Sequence, residues 1–245
     1  MLKKLSIMSK QSYTLILGGS KGIGFETMKY FNSKNRDTIS ISRTKSESSS
    51  KRNIEIIFDL LNFDDYKKLF IQLDKYNIEN IIFNLGDGSI KFKDSKEQLD
   101  YSKKINFLYV KEFIEVGNYL NNNNLKNIIF LNSICRFQEV GCRQEYRESK
   151  KKLFNYFKKQ VKIFGERNVR INSITLGDVY HHNSIWKNKF ENKEDEINYL
   201  QSTKLTNEYV DVIDVVTTIE FIINNKSLIG EDIILDGGHT HLLNN

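Results

Sequence analysis

The sequence contains no proline and, in its 245 residues, no alanine; it has only two cysteines, one tryptophan and four histidines. Without proline there are no prolyl kinks and no stiff polyproline linkers. Two cysteines exclude a disulfide-dense scaffold. Cys135 and Cys142 form no CxxC pair and have no histidine at ligand spacing, so they make no zinc site. They read as free thiols in a reducing compartment. No apolar run approaches the roughly 20 residues that a membrane helix needs. The start, Met1 to Met8, carries two lysines but no apolar stretch of secretory-signal length. The expectation is a soluble, cytoplasmic protein with no membrane partner.

What is present is globular. Hydrophobic residues make up 39% and charged residues 28%, too apolar for a disordered chain. A chain of this length buries roughly 70–75% of its unfolded surface and needs no cross-links to hold a core. The net charge is +6. Abundant Lys, Asn and Ile together with the missing Ala point to A/T-rich codons, which discounts that charge as a nucleic-acid signal. The basic run Lys150-Lys151-Lys152 with Lys158-Lys159 carries no nucleic-acid motif. No nucleic-acid partner is expected.

Short apolar runs alternate with longer helical stretches. Tyr13–Leu17, Thr38–Ser42, Ile54–Phe58, Asn80–Phe83, Asn127–Leu131, Arg170–Thr175 and Asp232–Leu235 read as strands. Most are continuous apolar runs, as in strands of a parallel sheet buried on both faces. Helices are expected at Ile23–Ser33, Asp64–Lys75, Lys96–Leu120, Glu145–Phe164 and Val212–Ile223. This alternation predicts a Rossmann-type, doubly wound α/β fold with seven parallel strands flanked by helices in a single domain. Thr44–Lys51 reads as a polar loop and Asn121–Asn124 as a turn.

The turn Leu17-Gly18-Gly19-Ser20-Lys21-Gly22-Ile23-Gly24 leaves the first strand and opens the first helix. Glycines let the backbone turn tightly and approach a ligand, and a helix N-terminus offers unpaired N–H groups to a pyrophosphate. The strand-before, helix-after context identifies a dinucleotide turn. Folds of this kind that bind NAD place an acid at the end of the second strand. Here that strand ends Ile41-Ser42-Arg43, with Lys21 inside the turn. Two cations suit a ribose 2′-phosphate, so the expected cofactor is NADP(H).

Tyr146 and Lys150 are four apart at the start of a predicted helix and share one face. Ser133 follows the fifth predicted strand, at the carboxyl edge where open α/β sheets bind ligands. A phenol with its usual pKa near 10 is a poor acid–base group at neutrality and needs charged neighbours to serve as one.

On these motifs, in order, the chain resembles the short-chain dehydrogenase/reductase family from Ser12 to Gly238. They are the glycine turn, Asp59, Asn84-Leu85-Gly86, Asn106, Ser133, Tyr146 with Lys150, Arg170-Ile171-Asn172 and Asp236-Gly237-Gly238. The resemblance implies an NADPH-dependent oxidoreductase that reduces a ketone. It makes Tyr146 the acid–base group, Ser133 the group orienting the carbonyl, and Asn106 the support of a proton relay. Lys150 would bind the nicotinamide ribose and lower the tyrosine pKa. Ser20, Ile23, Leu60 and Val179 join Gly18, Lys21, Gly22, Gly24, Arg43, Asp59, Asn84, Gly86, Tyr146 and Lys150 in the implied cofactor site. A 3-oxoacyl thioester, as taken by 3-oxoacyl-carrier-protein reductases, is the first substrate expectation, with an acidic carrier as a possible partner. A keto-sugar or specialised metabolite is the second, and an idle NADP(H)-binding regulator a third reading. The family forms dimers and tetramers through its long helices, so a homodimer or homotetramer is expected.

Three positions depart from the family pattern. Leu85 replaces a small residue, Leu176 a proline, and His181 a threonine. Residues Tyr180 to Thr206 form the expected substrate lid, with Trp186 packing on substrate or anchoring the lid. Cys135, Arg136 and Phe137 are further candidates for the pocket wall. The paired histidines His181-His182 and His239/His241 lack a third ligand motif, so no metal is expected.

Overall fold

The computed structural model describes residues 11–46, 50–117, 124–137 and 140–243. Seven strands form one parallel sheet: β1 (Ser12–Leu17), β2 (Asp37–Ser42), β3 (Asn53–Ile57), β4 (Asn77–Phe83), β5 (Asn127–Ser133), β6 (Arg170–Leu176) and β9 (Asp232–Leu235). Their order is β3-β2-β1-β4-β5-β6-β9. The seven-stranded, doubly wound expectation holds. The chain winds outward from β1 to β3, then restarts beside β1 with β4. That reversal opens a crevice at the carboxyl ends of β1 and β4.

Alternation along each strand explains the continuous apolar runs. Leu15, Leu17, Ile81, Ile128 and Phe130 enter one core, whereas Ile16, Ile82, Ile129 and Leu131 enter the other. Two buried faces require apolar residues at both parities. The first core is closed by α2 (Tyr66–Leu73), α4 (Tyr109–Val116) and α5 (Gln144–Gly165), which supply Phe70, Phe113 and Phe157. The second is closed by α1 (Gly22–Ser33) and α7 (Val212–Asn224), through Met28, Phe31, Val215, Val216 and Ile219.

Asparagine takes left-handed positions after two helices. Asn35 follows α1 and Asn168 follows α5, each with φ of 60°. Arg36 N–H then reaches the Phe31 carbonyl, and Val169 N–H reaches that of Phe164, both at 2.9 Å. These are the terminating bonds that a glycine cap usually provides.

The helix expected over Lys96–Leu120 is present but not α-helical throughout. α3 (Ser95–Lys103) passes through a π-helical turn, Lys104–Leu108, into α4. Residues 118–120 of the expected helix, most of the expected turn at Asn121–Asn124, and 47–49 of the expected loop lie outside the described residues, as does Met1 to Met8. The lid region holds a two-residue parallel ladder of β7 (Val179–Tyr180) with β8 (Val210–Asp211), and α6 (Lys193–Thr203). The chain's last helix is α8 (His239–Leu242). No helix among the described residues is long and apolar enough to cross a membrane.

Candidate active site

A cleft of about 760 Å³ occupies the crevice. Its floor begins at the glycine turn. Gly18 and Gly22 have φ of +96° and +61°, where side chains are strained. A Cβ on Gly24 would lie 2.2 Å from the Gly18 carbonyl oxygen. Gly24 therefore sits beneath the turn and lets the helix approach the strand, while Gly18, Ser20, Lys21, Gly22 and Ile23 line the cleft. Asp94, Asn192 and Asp211 cap α3, α6 and α7 with side-chain bonds, but Lys21 makes none at α1. The first N–H groups of α1, on the cleft-lining Gly22 and Ile23, are left without a side-chain cap, as in a cradle for a pyrophosphate.

At one end of the cleft stand Arg43, Asp59 and Leu60. Arg43 is exposed and makes no ion pair among the described residues. Asp59 accepts a bond from Leu61 N–H at 3.0 Å, which fixes its carboxylate in the loop after β3. Asn84 donates to the Gly18 carbonyl at 2.6 Å, tying the end of β4 to the glycine turn. These groups form a site with the dimensions and polarity for a dinucleotide.

At the other end are Ser133, Tyr146 and Lys150. Ser133 closes β5, and its Oγ accepts from Cys135 N–H at 3.2 Å. Its own hydroxyl hydrogen is not used in that bond. Tyr146 and Lys150 lie one turn apart on α5, with Nζ 5.7 Å from the ring centre. Desolvation raises the Tyr146 pKa; a hydrogen bond with Ser133 pulls it down less than burial and the Asp87 charge push it up. Lys150 is itself buried, and desolvation lowers its pKa to about 8.

Asn106 sits in the π-helical turn, fully buried behind the cleft wall. Its Oδ1 accepts from Asp87 N–H, and its Nδ2 donates to the Asp87 carbonyl, both at 2.9 Å. It also donates to the Ser102 carbonyl at 3.0 Å. The amide therefore braces the Gly86-Asp87 loop. Asp87, which the sequence reading missed, lines the cleft and accepts from Tyr101 Oη at 2.9 Å. Despite its desolvation, bonds from Ser89 and Tyr101 and the Lys91 charge hold its pKa below the usual range.

The three departures are accommodated. Leu85 lines the cleft, and its carbonyl accepts from Tyr109 Oη at 3.0 Å. Leu176 ends β6 in the cleft wall. Val179 is buried there through its pairing with Val210. The His181 ring packs on Gly22, 3.4 Å from where a Cβ would lie. Burial lowers its pKa; Glu26 opposes and His182 adds to that effect.

Of the two roles expected of Trp186, the lid anchor is seen. It lines the cleft, and it stacks on Tyr199 of α6 at 5.5 Å, with the Lys189 ammonium 4.0 Å above it. Cys135, Arg136 and Phe137 do not line the cleft. Arg136 turns away, pairing with Asp232 at 2.8 Å between the rings of Phe137 and Phe154. The free-thiol expectation is also corrected. Cys135 and Cys142, with Cα atoms 5.5 Å apart, are joined as a disulfide. That pairing is a tertiary contact, which residue spacing alone does not reveal.

Neither a protein-family model nor a curated protein matches this sequence. Solved structures do. A short chain dehydrogenase family protein from Francisella tularensis subsp. tularensis SCHU S4 aligns with a TM-score of 0.80 and 23% identity, covering 95% of this chain and 100% of that one. A 4-hydroxyisoleucine dehydrogenase complexed with NADH gives 0.81 and 23%, covering 94% and 99%. The Thermoplasma acidophilum aldohexose dehydrogenase gives 0.81 and 15%, covering 95% of each. These likenesses establish the fold.

Proposed function

We propose that the chain is a short-chain dehydrogenase/reductase that uses NADPH to reduce a ketone to a secondary alcohol. The observation that carries this reading is the meeting of Ser133, Tyr146 and Lys150 at one end of a cleft whose other end is a dinucleotide cradle. The fold likeness to dehydrogenases supports it. Gly18, Gly22 and the N–H groups of α1 would hold the pyrophosphate, Asp59 the adenine, and Lys150 the nicotinamide ribose. Arg43 and Lys21 would hold a 2′-phosphate. Their charge supports NADPH, although the 4-hydroxyisoleucine dehydrogenase is complexed with NADH.

When bound, the reduced nicotinamide supplies the hydride. The protein's own groups manage the proton and the charge. Tyr146, with its raised pKa, keeps its proton at neutral pH and donates it to the carbonyl oxygen. Ser133, whose Oγ is already an acceptor for Cys135 N–H, directs its hydroxyl hydrogen to that oxygen as negative charge develops. Lys150, with a pKa of about 8, is mostly protonated at pH 7 and stabilises the tyrosinate left behind. Asn106 keeps the Gly86-Asp87 loop in place beside them.

The substrate end of the cleft is lined by Asp87, Ser89, Lys91, Asn183 and Ser184. That polarity favours a hydroxylated or sugar-like ketone over the acyl chain of a 3-oxoacyl thioester. The dehydrogenases of similar fold named for 4-hydroxyisoleucine and aldohexose support the same class. NADPH binding by nicotinamide fluorescence, then NADPH oxidation with a keto-sugar panel and an acetoacetyl thioester, tests this. Turnover of a keto-sugar that vanishes in Tyr146→Phe is the expected result. Turnover of the thioester alone overturns the substrate class, and failure to bind NADPH or NADH overturns the enzyme reading.

A further inference from the structure

We propose that the Cys135–Cys142 bond is a reversible redox modification site, cleaved by a dithiol, that sets the alignment of Ser133 with Tyr146. The proposal rests on the catalytic reading above. Ser133 and Tyr146 belong to β5 and α5, and without the bond a twelve-residue connection is all that links them along the chain. The bond crosses most of that connection, between residues seven apart.

Both ends of the bond sit next to the chemistry. Cys135 lies two residues after Ser133, and its N–H is the donor that holds Ser133 Oγ. Cys142 lies two residues before Gln144, the first residue of α5, and Tyr146 is the third. The two sides are anchored unequally. The Cys135 side is also held by Arg136, through Asp232 and the rings of Phe137 and Phe154. Beyond the bond, the Cys142 side has the Arg143–Glu145 pair within its own segment, and its first tie to another element is the Glu145 carbonyl, which accepts from Ser102 Oγ at 3.1 Å. Cleavage therefore frees the approach to Tyr146 more than the end of β5. The pyrophosphate cradle is built on β1, α1 and β4 and does not depend on this tie.

Both cysteines are only half-buried and so lie at the surface side of the fold. The dithiol attacks one sulfur as its thiolate, the S–S bond breaks, and a mixed disulfide forms. The second thiol of the reductant then displaces the cysteine. Two cysteine thiols result, carrying the two protons of the dithiol, and the reductant leaves as its own disulfide. Oxidation reverses each bond.

The test uses the full chain treated with oxidised glutathione or with dithiothreitol. Iodoacetamide labelling read by mass is expected to find no thiol in the first and two in the second; labelling of both cysteines after oxidation overturns the proposal. Reduction is expected to lower kcat by about 10- to 100-fold, as misplacement of a catalytic group does, with the KM for NADPH unchanged. Cys142→Ser should match the reduced enzyme and ignore dithiothreitol. Equal kcat in both states overturns the proposal and leaves the enzyme reading intact. Should no ketone be turned over in either state, the enzyme reading has failed, and amide exchange over residues 140–146 decides separately. Faster exchange on reduction supports the tie, and unchanged exchange overturns it.

Discussion

A Cβ on Gly86 would lie 3.1 Å from Nζ of Lys150 and 3.2 Å from Oδ1 of Asn106. The loop after β4 thus leaves room for the buried ammonium only because it has a glycine there. Gly86→Ala should push the flexible lysine aside and leave the core alone. Turnover is expected to fall about tenfold while Tm stays within about 4 °C. Steady-state kinetics beside a thermal melt checks this; a collapse of Tm with full activity per folded molecule would refute it.

Tyr146→Phe removes the proton donor and leaves the cleft's shape. Turnover should drop by about 10²- to 10⁴-fold, the range for loss of a general acid. NADPH affinity, measured by fluorescence titration, should stay within about twofold, because the phenol is not part of the phosphate cradle. Retained turnover would remove Tyr146 from the mechanism.

Lys150 gives the activity its alkaline limit. Desolvation lowers its pKa to about 8, while Tyr146 is shifted upward and stays protonated over the same range. Ketone reduction should therefore fall as pH rises through about 8, as the ammonium is lost. Lys150→Arg, which cannot deprotonate there, should abolish that limb even if it lowers the maximum. The stability effect has the opposite sign. Between the folded pKa and the usual lysine value the unfolded chain binds more protons, so this group's penalty on folding diminishes as pH rises from about 8 to about 10. The difference in unfolding free energy between the protein and Lys150→Met should shrink by about 2 kcal/mol between pH 7.5 and 9.5.

Arg43 stands exposed at the cleft's far end with no acidic partner among the described residues. Charge-assisted bonds to a phosphate are worth about 1.5–3 kcal/mol, so Arg43→Ala should weaken NADPH binding by roughly 10- to 100-fold. NADH, which lacks the 2′-phosphate, should bind nearly as before. Equal losses for the two would refute the preference for NADPH.

The sequence was most informative where physics is local or periodic. Strands buried on both faces had to be runs such as Ile81-Ile82-Phe83 and Ile128-Ile129-Phe130, and the glycine turn had to follow one. The four-residue spacing of Tyr146 and Lys150 placed them on one face before any tertiary contact was known. Long-range features were not legible. Asp87 lies where a backbone brace from Asn106 puts it, and no periodicity encodes that brace. The π-helical turn adds a residue to a helix whose apolar pattern reads as continuous. Helix α6 had a local sign, an Asn192 cap followed by Glu194, Asp195 and Glu196, but little apolar periodicity beneath it. The cysteine pairing depends on the path of a loop, which composition does not constrain.

That dependence on tertiary contacts is strongest at Lys204. Its side chain is wholly buried, with Nζ 2.5 Å from Oδ2 of Asp178 and 3.1 Å from Nδ1 of His239. Tyr199 Oη donates to the same Asp178 oxygen at 2.7 Å. Asp178 stands between Gly177 and Val179, both in the cleft wall, so the pair joins that wall to α6 and α8. Burial and the Lys204 charge lower the His239 pKa, leaving a neutral ring whose Nδ1 can accept from the ammonium. Lys204→Met would strand the Asp178 carboxylate without its cation, which costs about 3–5 kcal/mol in a buried pair. Asp178→Asn in the same background should recover part of that loss, because it removes the stranded charge. A double-mutant cycle by denaturant unfolding measures the coupling. Additive losses would mean that the two residues stabilise the lid independently, and that the pair does not hold it to the cleft wall.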